Sequence, residues 1–348
     1  MHIMYRDDKQ GRIRLRAETL DDLWHLYHII NEQDWVYALT YRREESPADQ
    51  LRTKKSEKKR MVLGIEVEKV EFADFSDRLR ILGIIREGQQ DIGSYHTLIL
   101  EVGDDLTVVK KDWKQHYLDR IKEAIDATKR PLLTFLAIED GCALIARLHH
   151  YGVEQVANIE HNIPGKQYKG GKGEKAEFFA DVLSTLKASL QEGSPIIILG
   201  PGFAKEEFVK YARPLEPGLL KQAHIEATGQ AGMTGITEAM KSGVVSKASQ
   251  GCRVEAETLA VEKLLEEISK SGLAAYGPKE VKGALVAGAV DTLLITDKLV
   301  REGNGDEYLE LARRMNSNAL IISVAHEAGR KLESLSGYGA ILRYAIRA

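Results

Sequence analysis

The spacing of apolar residues changes character near Pro131, and that change limits how a chain of 348 residues can fold. Up to about residue 110 the apolar positions recur every second residue, the repeat of a half-exposed strand. Ile13, Leu15 and Ala17 alternate with Arg12, Arg14 and Arg16. Met61, Leu63, Ile65 and Val67 share one phase, whereas Val70 and Phe72 share the other, which predicts a bulge near Glu68-Lys69. Further strands are expected at 80–85, 96–102 and 106–110. One helix interrupts them, with Thr19 and Asp22 as a capping pair and Leu20, Leu23, Trp24, Tyr27 and Ile30 along one face. A small, strongly bent β-barrel carrying a helix suits this pattern. Trp113, Tyr117, Ile121 and Ile125 then mark a helix leading out of it, and Pro131 disfavours helix in the residue before it.

Beyond Pro131, strands alternate with helices, which implies mixed α/β layers. Strands are expected at 132–139, 142–149 and 153–160, followed by a polar loop from Asn162 to Gly173. A helix then carries Phe179, Val182, Leu183, Leu186 and Leu190 on one face, ahead of a buried strand at 196–199. A helix from Ala204, a strand at 224–227 and a helix at 236–240 complete this part. A second boundary is read at 251–255. After it come a long helix striped by Val254, Val261, Leu264, Leu265 and Ile268, two helix–strand repeats and a closing strand at 341–346, an α/β/α sandwich. One core seldom grows to this length, so several domains are expected: 1–127, 131–251 and 254–348. The fold class is therefore multidomain, α+β and α/β.

Composition removes several function classes. Net charge is only −3, so any nucleic-acid contact must be confined to patches. Cys142 and Cys252 are far apart and fit two buried thiols in a reducing cytoplasm. The N-terminal residues do not read as a signal peptide, and no run of 18 apolar residues suggests a membrane span. No phosphate-loop motif, H-E-x-x-H pair or G-x-S-x-G elbow occurs. Gly200-Pro201-Gly202 follows a strand and precedes a helix, but a third glycine is missing and Pro201 removes an amide donor, so a dinucleotide site is not expected. The ten histidines are scattered, and His149-His150 would face opposite sides of a strand.

Three features could carry function. Between residues 42 and 60, Arg42, Arg43, Arg52, Lys54, Lys55, Lys58, Lys59 and Arg60 face four acids, with almost no apolar residue. Such a segment can neutralise phosphates, although it could equally be a solubilising hairpin. The loop from Asn162 to Gly173 holds four glycines and Lys166, Lys169 and Lys172, a cationic finger suited to an RNA backbone or an acidic partner. Glu18, Asp21 and Asp22 cluster at the first helix start. They could hold Mg or Mn for phosphodiester cleavage, or they could simply cap the helix and complement its dipole.

Several separated stretches resemble the Pelota family, archaeal type. They are Asp21-Asp22-Leu23-Trp24-His25-Leu26-Tyr27, the run from Ile198 to Phe208 around Pro201-Gly202-Phe203, Ala275-Tyr276-Gly277 with Val281, Gly288 to Asp297, and Leu335 to Tyr344. The resemblance spans the chain in order. It implies an Sm-like N-terminal β-barrel that binds RNA, then central and C-terminal domains similar to those of class 1 peptide release factors, the last also resembling kink-turn-binding ribosomal proteins. It implies ribosome rescue and no-go mRNA surveillance. On that reading the chain, in the cytoplasm and as a monomer, enters the A site of a stalled ribosome, contacting rRNA and mRNA. It does so with an elongation factor 1-alpha-type GTPase and GTP, and helps an iron–sulfur ABC-type ATPase split the subunits. No cofactor is implied for binding.

Pro201, Gly202 and Phe203 would face the GTPase, or would form a purely structural turn with Phe203 in the core. Lys166 and Lys169 are further GTPase contacts, although the tight basic cluster that family members often carry after the loop proline is replaced here by Gly165-Lys166-Gln167-Tyr168-Lys169. Release factors use a Gly-Gly-Gln tip to hydrolyse the peptidyl ester. The matching loop has Gly170-Gly171-Lys172, and Gly88-Gln89 and Gly229-Gln230 each lack the preceding glycine, so a non-catalytic adaptor is expected. Two alternatives remain: a metal-dependent endoribonuclease cleaving mRNA through the N-terminal acids, and an RNA-binding module outside translation.

Overall fold

The structure is a computed structural model and describes residues 1–43, 58–73, 77–89, 91–162, 171–191, 193–221, 223–248 and 253–346. The chain forms two compact units, Met1–Arg130 and Pro131–Ala348.

The first unit holds strands β1 (His2–Asp7), β2 (Arg12–Arg16), β3 (Trp35–Arg43), β4 (Lys58–Ala73), β5 (Arg78–Glu87), β6 (Tyr95–Leu100) and β7 (Asp105–Val109). They form one sheet in the order β1-β2-β7-β3-β4-β5-β6, with antiparallel pairing throughout. Alternation decides the facing: Ile13, Leu15 and Ala17 are buried, while Arg14 and Arg16 reach out to Asp105 at 3.1 and 2.6 Å. Along β4, Met61, Leu63, Ile65, Val67 and then Val70 are buried, and the pairing with β5 slips between Val67 and Lys69. The expected bulge is therefore present, and it keeps both halves of a long strand facing one core. The sheet curls hard. Thr40 Oγ1 on β3 lies 3.1 Å from His96 Nε2 on β6, although two strands separate them in the ladder. A flat sheet would hold those strands about 14 Å apart.

Helices α1 (Leu20–Ile29) and α2 (Gln115–Thr128) belong to this unit. The α1 capping box forms as expected: the Asp22 amide donates to Thr19 Oγ1 at 3.2 Å, and Asp22 Oδ2 accepts from the Thr19 amide at 3.0 Å. More of α1 is buried than one stripe predicts. Leu26 and Ile29 join Leu23 and Trp24, because the helix is covered by the sheet and also by α2. Here the sequence expectation needs correcting: α2 does not lead away but packs back on α1, with the Arg120 guanidinium 5.1 Å from the Trp24 ring centre, and Trp113 precedes the helix.

The second unit contains two sheets. The first comprises β8 (Leu133–Glu139), β9 (Cys142–His149), β10 (Gly152–Glu160), β11 (Ile196–Gly200) and β12 (His224–Ala227), in the order β10-β9-β8-β11-β12. The meander β8–β10 is antiparallel, while β11 runs parallel to β8 and β12. Helices α3 (Gly171–Ser189) and α4 (Ala204–Leu215) cover one face through Phe178, Val182 and Phe208, and α5 (Gly232–Lys241) and α6 (Val244–Ala248) cover the other. Cys142 is exposed rather than buried, at the β9 start; its partial burial and the nearby Glu139 and Glu160 push the thiol pKa up. Cys252 lies outside the described residues.

The second sheet follows helix α7 (Arg253–Ser269). It comprises β13 (Ala274–Tyr276), β14 (Val290–Thr296), β15 (Asn318–Ile322) and β16 (Tyr338–Leu342), in the order β13-β16-β14-β15. Helices α8 (Pro278–Val286), α9 (Asp297–Arg301) and α10 (Asp306–Arg314) alternate with these strands, and α11 (Glu327–Ser334) precedes β16. Val281, Leu285 and Tyr308 pack on one side of the sheet, and Val261, Leu264 and Leu332 on the other, which is the α/β/α sandwich. The closing strand lies at 338–342 and not 341–346; Tyr344 and Ile346 are exposed.

Helix α7 takes part in two cores. Val254 packs with Ile236, Ala239 and Val245 against the first sheet, whereas Val261 and Leu264 pack under the second. Between these points Glu257, with a side chain 2% exposed, accepts from Arg253 Nε at 2.5 Å, the Ser323 amide at 2.8 Å and His326 Nε2 at 2.6 Å. Burial pushes the Glu257 carboxyl up. The Arg253 charge and the hydrogen bonds outweigh that effect and hold it below the usual carboxylate range. Nearby, Lys331 on α11 bridges Glu262 and Glu327 at 2.9 Å each, and Lys241 on α5 approaches the same two carboxylates at 3.7 and 3.6 Å. Hydrogen bonds to Glu262 and Glu327 raise the Lys331 pKa despite some burial.

Candidate functional site

The basic segment grows directly out of the β3–β4 ladder. Its rungs pair Tyr41 with Arg60, Arg42 with Lys59 and Arg43 with Lys58. Residues directly opposite in an antiparallel pair share a face, and like charges there repel. The register thus gathers four basic residues at the open end of this ladder, a charge that a polyanion would neutralise. Arg60 is exposed. Arg52, Lys54 and Lys55 lie outside the described residues. Tyr41, 60% exposed, and its strand neighbour Leu39 were not singled out from the sequence. The signal was available: Val36 and Ala38 carry the buried phase, which leaves Leu39 and Tyr41 on the outer one.

Part of the second candidate loop is helix. Helix α3 begins at Gly171, so Lys172 sits in its first turn and the expected loop ends earlier than Gly173. Glu174 in that turn complements the helix N-terminus. Lys166 and Lys169 lie outside the described residues. One turn further on, Lys175 pairs with Glu207 of α4 and lies 3.0 Å from Asp140 in the β8–β9 turn. Partial burial opposes its charge, but the two acids prevail and raise its pKa.

The Pro201-Gly202-Phe203 turn is built with little freedom. Strand β11 is buried throughout and ends at Gly200, where φ is +150° and a Cβ would lie 2.0 Å from the Ile138 carbonyl oxygen. Pro201 fixes the next φ, and Gly202 adopts φ +58°, a conformation natural to glycine. The buried Lys205 side chain reaches back and donates to the Gly202 carbonyl at 2.5 Å, while the Glu207 amide donates to the Phe203 carbonyl at 3.0 Å as α4 begins. The result points Phe203 outward, 78% exposed. Of the two readings of this turn, the one that put Phe203 in the core is overturned; Phe208, fully buried, fills that place. A large aromatic ring held out by a rigid turn is what a partner-binding anchor requires.

The acidic cluster is used differently. Asp22 Oδ2 accepts from the Glu18 and Thr19 amides at 2.8 and 3.0 Å and lies 2.5 Å from the Met1 amino group. Its Oδ1 accepts from the Thr128 hydroxyl at 3.2 Å. Asp21 is buried, and Glu18 lies 3.4 Å from the Met1 amino group. With its lone pairs so engaged, Asp22 is a cap rather than a cation ligand. Among the described residues no group of three or more His, Cys, Asp or Glu side chains could hold a metal ion, so the Mg or Mn site expected for the nuclease alternative is not formed by these acids. Nor is any described helix long and apolar enough to cross a membrane.

Comparison with known proteins places these features in a family. The chain matches the Pelota N-terminal domain over residues 1–125, eRF1 domain 2 over 133–251 and eRF1 domain 3 over 254–346. It is 42% identical over 344 residues to a protein pelota homolog of Methanosarcina barkeri, covering 97% of each chain. The chain belongs to the Pelota family. A second Pelota relative, from Pyrococcus furiosus, is 41% identical over the full length of both chains. The crystal structure of the Thermoplasma acidophilum Pelota protein superposes with a TM-score of 0.80 at 26% identity, covering 99% of this chain and all of that one. The Pelota fold, with its N-terminal domain followed by two release-factor-like domains, is therefore that of this chain.

Proposed function

We infer that this chain is a ribosome-rescue and mRNA-surveillance factor, acting in the cytoplasm as a monomer. It enters the A site of a stalled ribosome with an elongation factor 1-alpha-type GTPase and GTP, and assists an iron–sulfur ABC-type ATPase in separating the subunits. It leaves the peptidyl ester intact. The observation that carries this reading is full-length membership in the Pelota family at 41–42% identity.

The parts divide the work along the chain. Residues 1–127 supply the RNA contact, through the basic rungs Arg42–Lys59 and Arg43–Lys58 with Tyr41 and Arg60 beside them. Phosphates of rRNA or mRNA neutralise these charges, which gives a contact that weakens as salt rises. Residues 131–251 face the GTPase, with Phe203 as anchor and the lysines at 166, 169 and 172 as electrostatic support. Residues 254–348 form the third part. At the position where release factors carry Gly-Gly-Gln, this chain has Gly170-Gly171-Lys172, and Lys172 lies in a helical turn. A helix fixes the backbone that a hydrolytic tip must leave free, and this favours an adaptor that hands chemistry to its partners.

The test is co-sedimentation with ribosomes stalled on a truncated message, with elongation factor 1-alpha and a non-hydrolysable GTP analogue. The chain should pellet with the stalled ribosomes and leave peptidyl-tRNA uncleaved. A chain that stays in the supernatant, or that releases the peptide unaided, refutes the reading.

A further inference from the structure

A second surface of the N-terminal unit carries the chemistry of a nucleotide-binding cleft, away from the basic rungs. Trp35 and Arg43 are the two ends of β3, about 27 Å apart along the strand. At the Trp35 end, the β1–β2 turn and the segment after β7 enclose a cleft of about 560 Å³, within the range of small-molecule sites. Two of the three tryptophans, Trp35 and Trp113, line it; the third, Trp24, is buried.

The walls are fixed. Asp7 Oδ1 accepts from the Lys9 and Gln10 amides at 2.9 and 3.1 Å and so closes the turn. Gly11, at φ +61°, accepts from the Lys110 amide at 3.0 Å through its carbonyl, and a Cβ there would lie 2.2 Å from the Lys110 oxygen. The Trp113 indole N–H donates to the same Gly11 carbonyl at 2.8 Å, which satisfies its polar edge; one part of the half-buried ring packs against the core and another lines the cleft. Buried Lys110 pairs with Asp34 and lies 5.7 Å from the Trp113 ring centre.

Charge at the rim is positive although the chain as a whole is acidic. Arg6, Lys9 and Lys111 line the cleft against Asp8 and Asp112; Asp8 is paired with Arg6 at 2.7 Å, and the charge of buried Lys110 is taken up by Asp34. Lys9 and Lys111 are exposed, on two different loops, and make no ion pair among the described residues.

We propose that this cleft binds one unpaired nucleotide of single-stranded RNA, its base stacked on the indole surfaces of Trp35 and Trp113 and its phosphate held by Lys9 and Lys111. An acidic peptide would satisfy the lysines but would leave the indoles without a planar partner. Sequence-tolerant stacking of this kind, with cations tracking the backbone, is how single strands are held without base readout. The site goes beyond the rescue reading and needs neither ribosome nor GTPase.

The experiment titrates the full chain with a ten-nucleotide oligouridine and follows intrinsic tryptophan fluorescence. Quenching is expected with the single strand and not with a duplex of the same length. Trp35→Ala should weaken binding about 5- to 150-fold, the range for one lost stacking partner, without changing the salt dependence. Lys9→Ala with Lys111→Ala alters only exposed side chains, so folding is not at issue. It should lower the slope of log K against log salt by about 0.7, the value for one phosphate contact on a single strand. An unchanged slope in that double variant overturns the proposal, as does equal quenching by duplex RNA. Equal quenching by a decaglutamate peptide overturns it in favour of a protein partner.

Discussion

Replacing Phe203 with alanine separates an anchor from a structural turn, because the two roles move different observables. The ring is 78% exposed in the free chain, so its removal leaves folding almost untouched, within about 0.5 kcal/mol. If a partner covers the ring completely, that same exposed fraction becomes available. Full burial of a phenylalanine side chain is worth about 1.5–3 kcal/mol, so roughly 1.2–2.3 kcal/mol is at stake. That corresponds to a Kd weakened by about 7- to 45-fold. Titration calorimetry against elongation factor 1-alpha loaded with a GTP analogue reads this directly, with a thermal melt of the free variant alongside. An affinity within twofold of the parent chain refutes the anchor. A melting temperature several degrees lower shows instead that the ring supports the turn.

Three further outcomes follow from the same structure. Glu257→Gln leaves Arg253 and His326 facing an uncharged amide in a buried site and should cost about 3–5 kcal/mol in urea unfolding. Because the Glu257 pKa is depressed on folding, its contribution is complete above the unfolded value of about 4.3 and is lost as pH falls through the lower folded value. The gap between parent and variant should therefore narrow on acidification below about pH 4, and a gap that widens there contradicts the assignment. Asp22→Ala removes the α1 cap and should cost about 1–2 kcal/mol of stability, while RNA incubated with Mg or Mn should be no less intact with the parent chain than with the variant. Lys58→Ala with Lys59→Ala should weaken ribosome binding and reduce its salt slope by about two, read by co-sedimentation across a salt series.

How much could be read from the sequence depended on the range of the interactions involved. The β4 bulge was legible because Val67 and Val70 fall in opposite phases, and the α1 cap because Thr19 and Asp22 stand three apart. Both are settled within a few residues. The curl that brings Thr40 to His96 depends on non-local pairing and left only a general suggestion of a barrel. The closing strand begins earlier than the expected 341–346, and local preference works against that start because glycine is disfavoured inside strands. In the fold, Gly339 lies inside β16, where a Cβ would sit 2.4 Å from Leu264 of α7; the missing side chain is what lets the helix pack so closely. The outward direction of Phe203 was equally hidden. An aromatic residue after Pro-Gly is ambiguous until Lys205 and the α4 start fix the turn, and Phe208 is seen to fill the core.

One helix, α7, has a consequence for how force passes through the second unit. Its first turn is embedded in one hydrophobic core and its middle in another, with the ionic pins at Glu257 and Lys331 between and beside them. A continuous helix, and not a slack tether, joins the two cores, so drawing them apart requires bending that helix or opening a core. Such a helix works as a crankshaft: its two ends turn together or the cores around it must open.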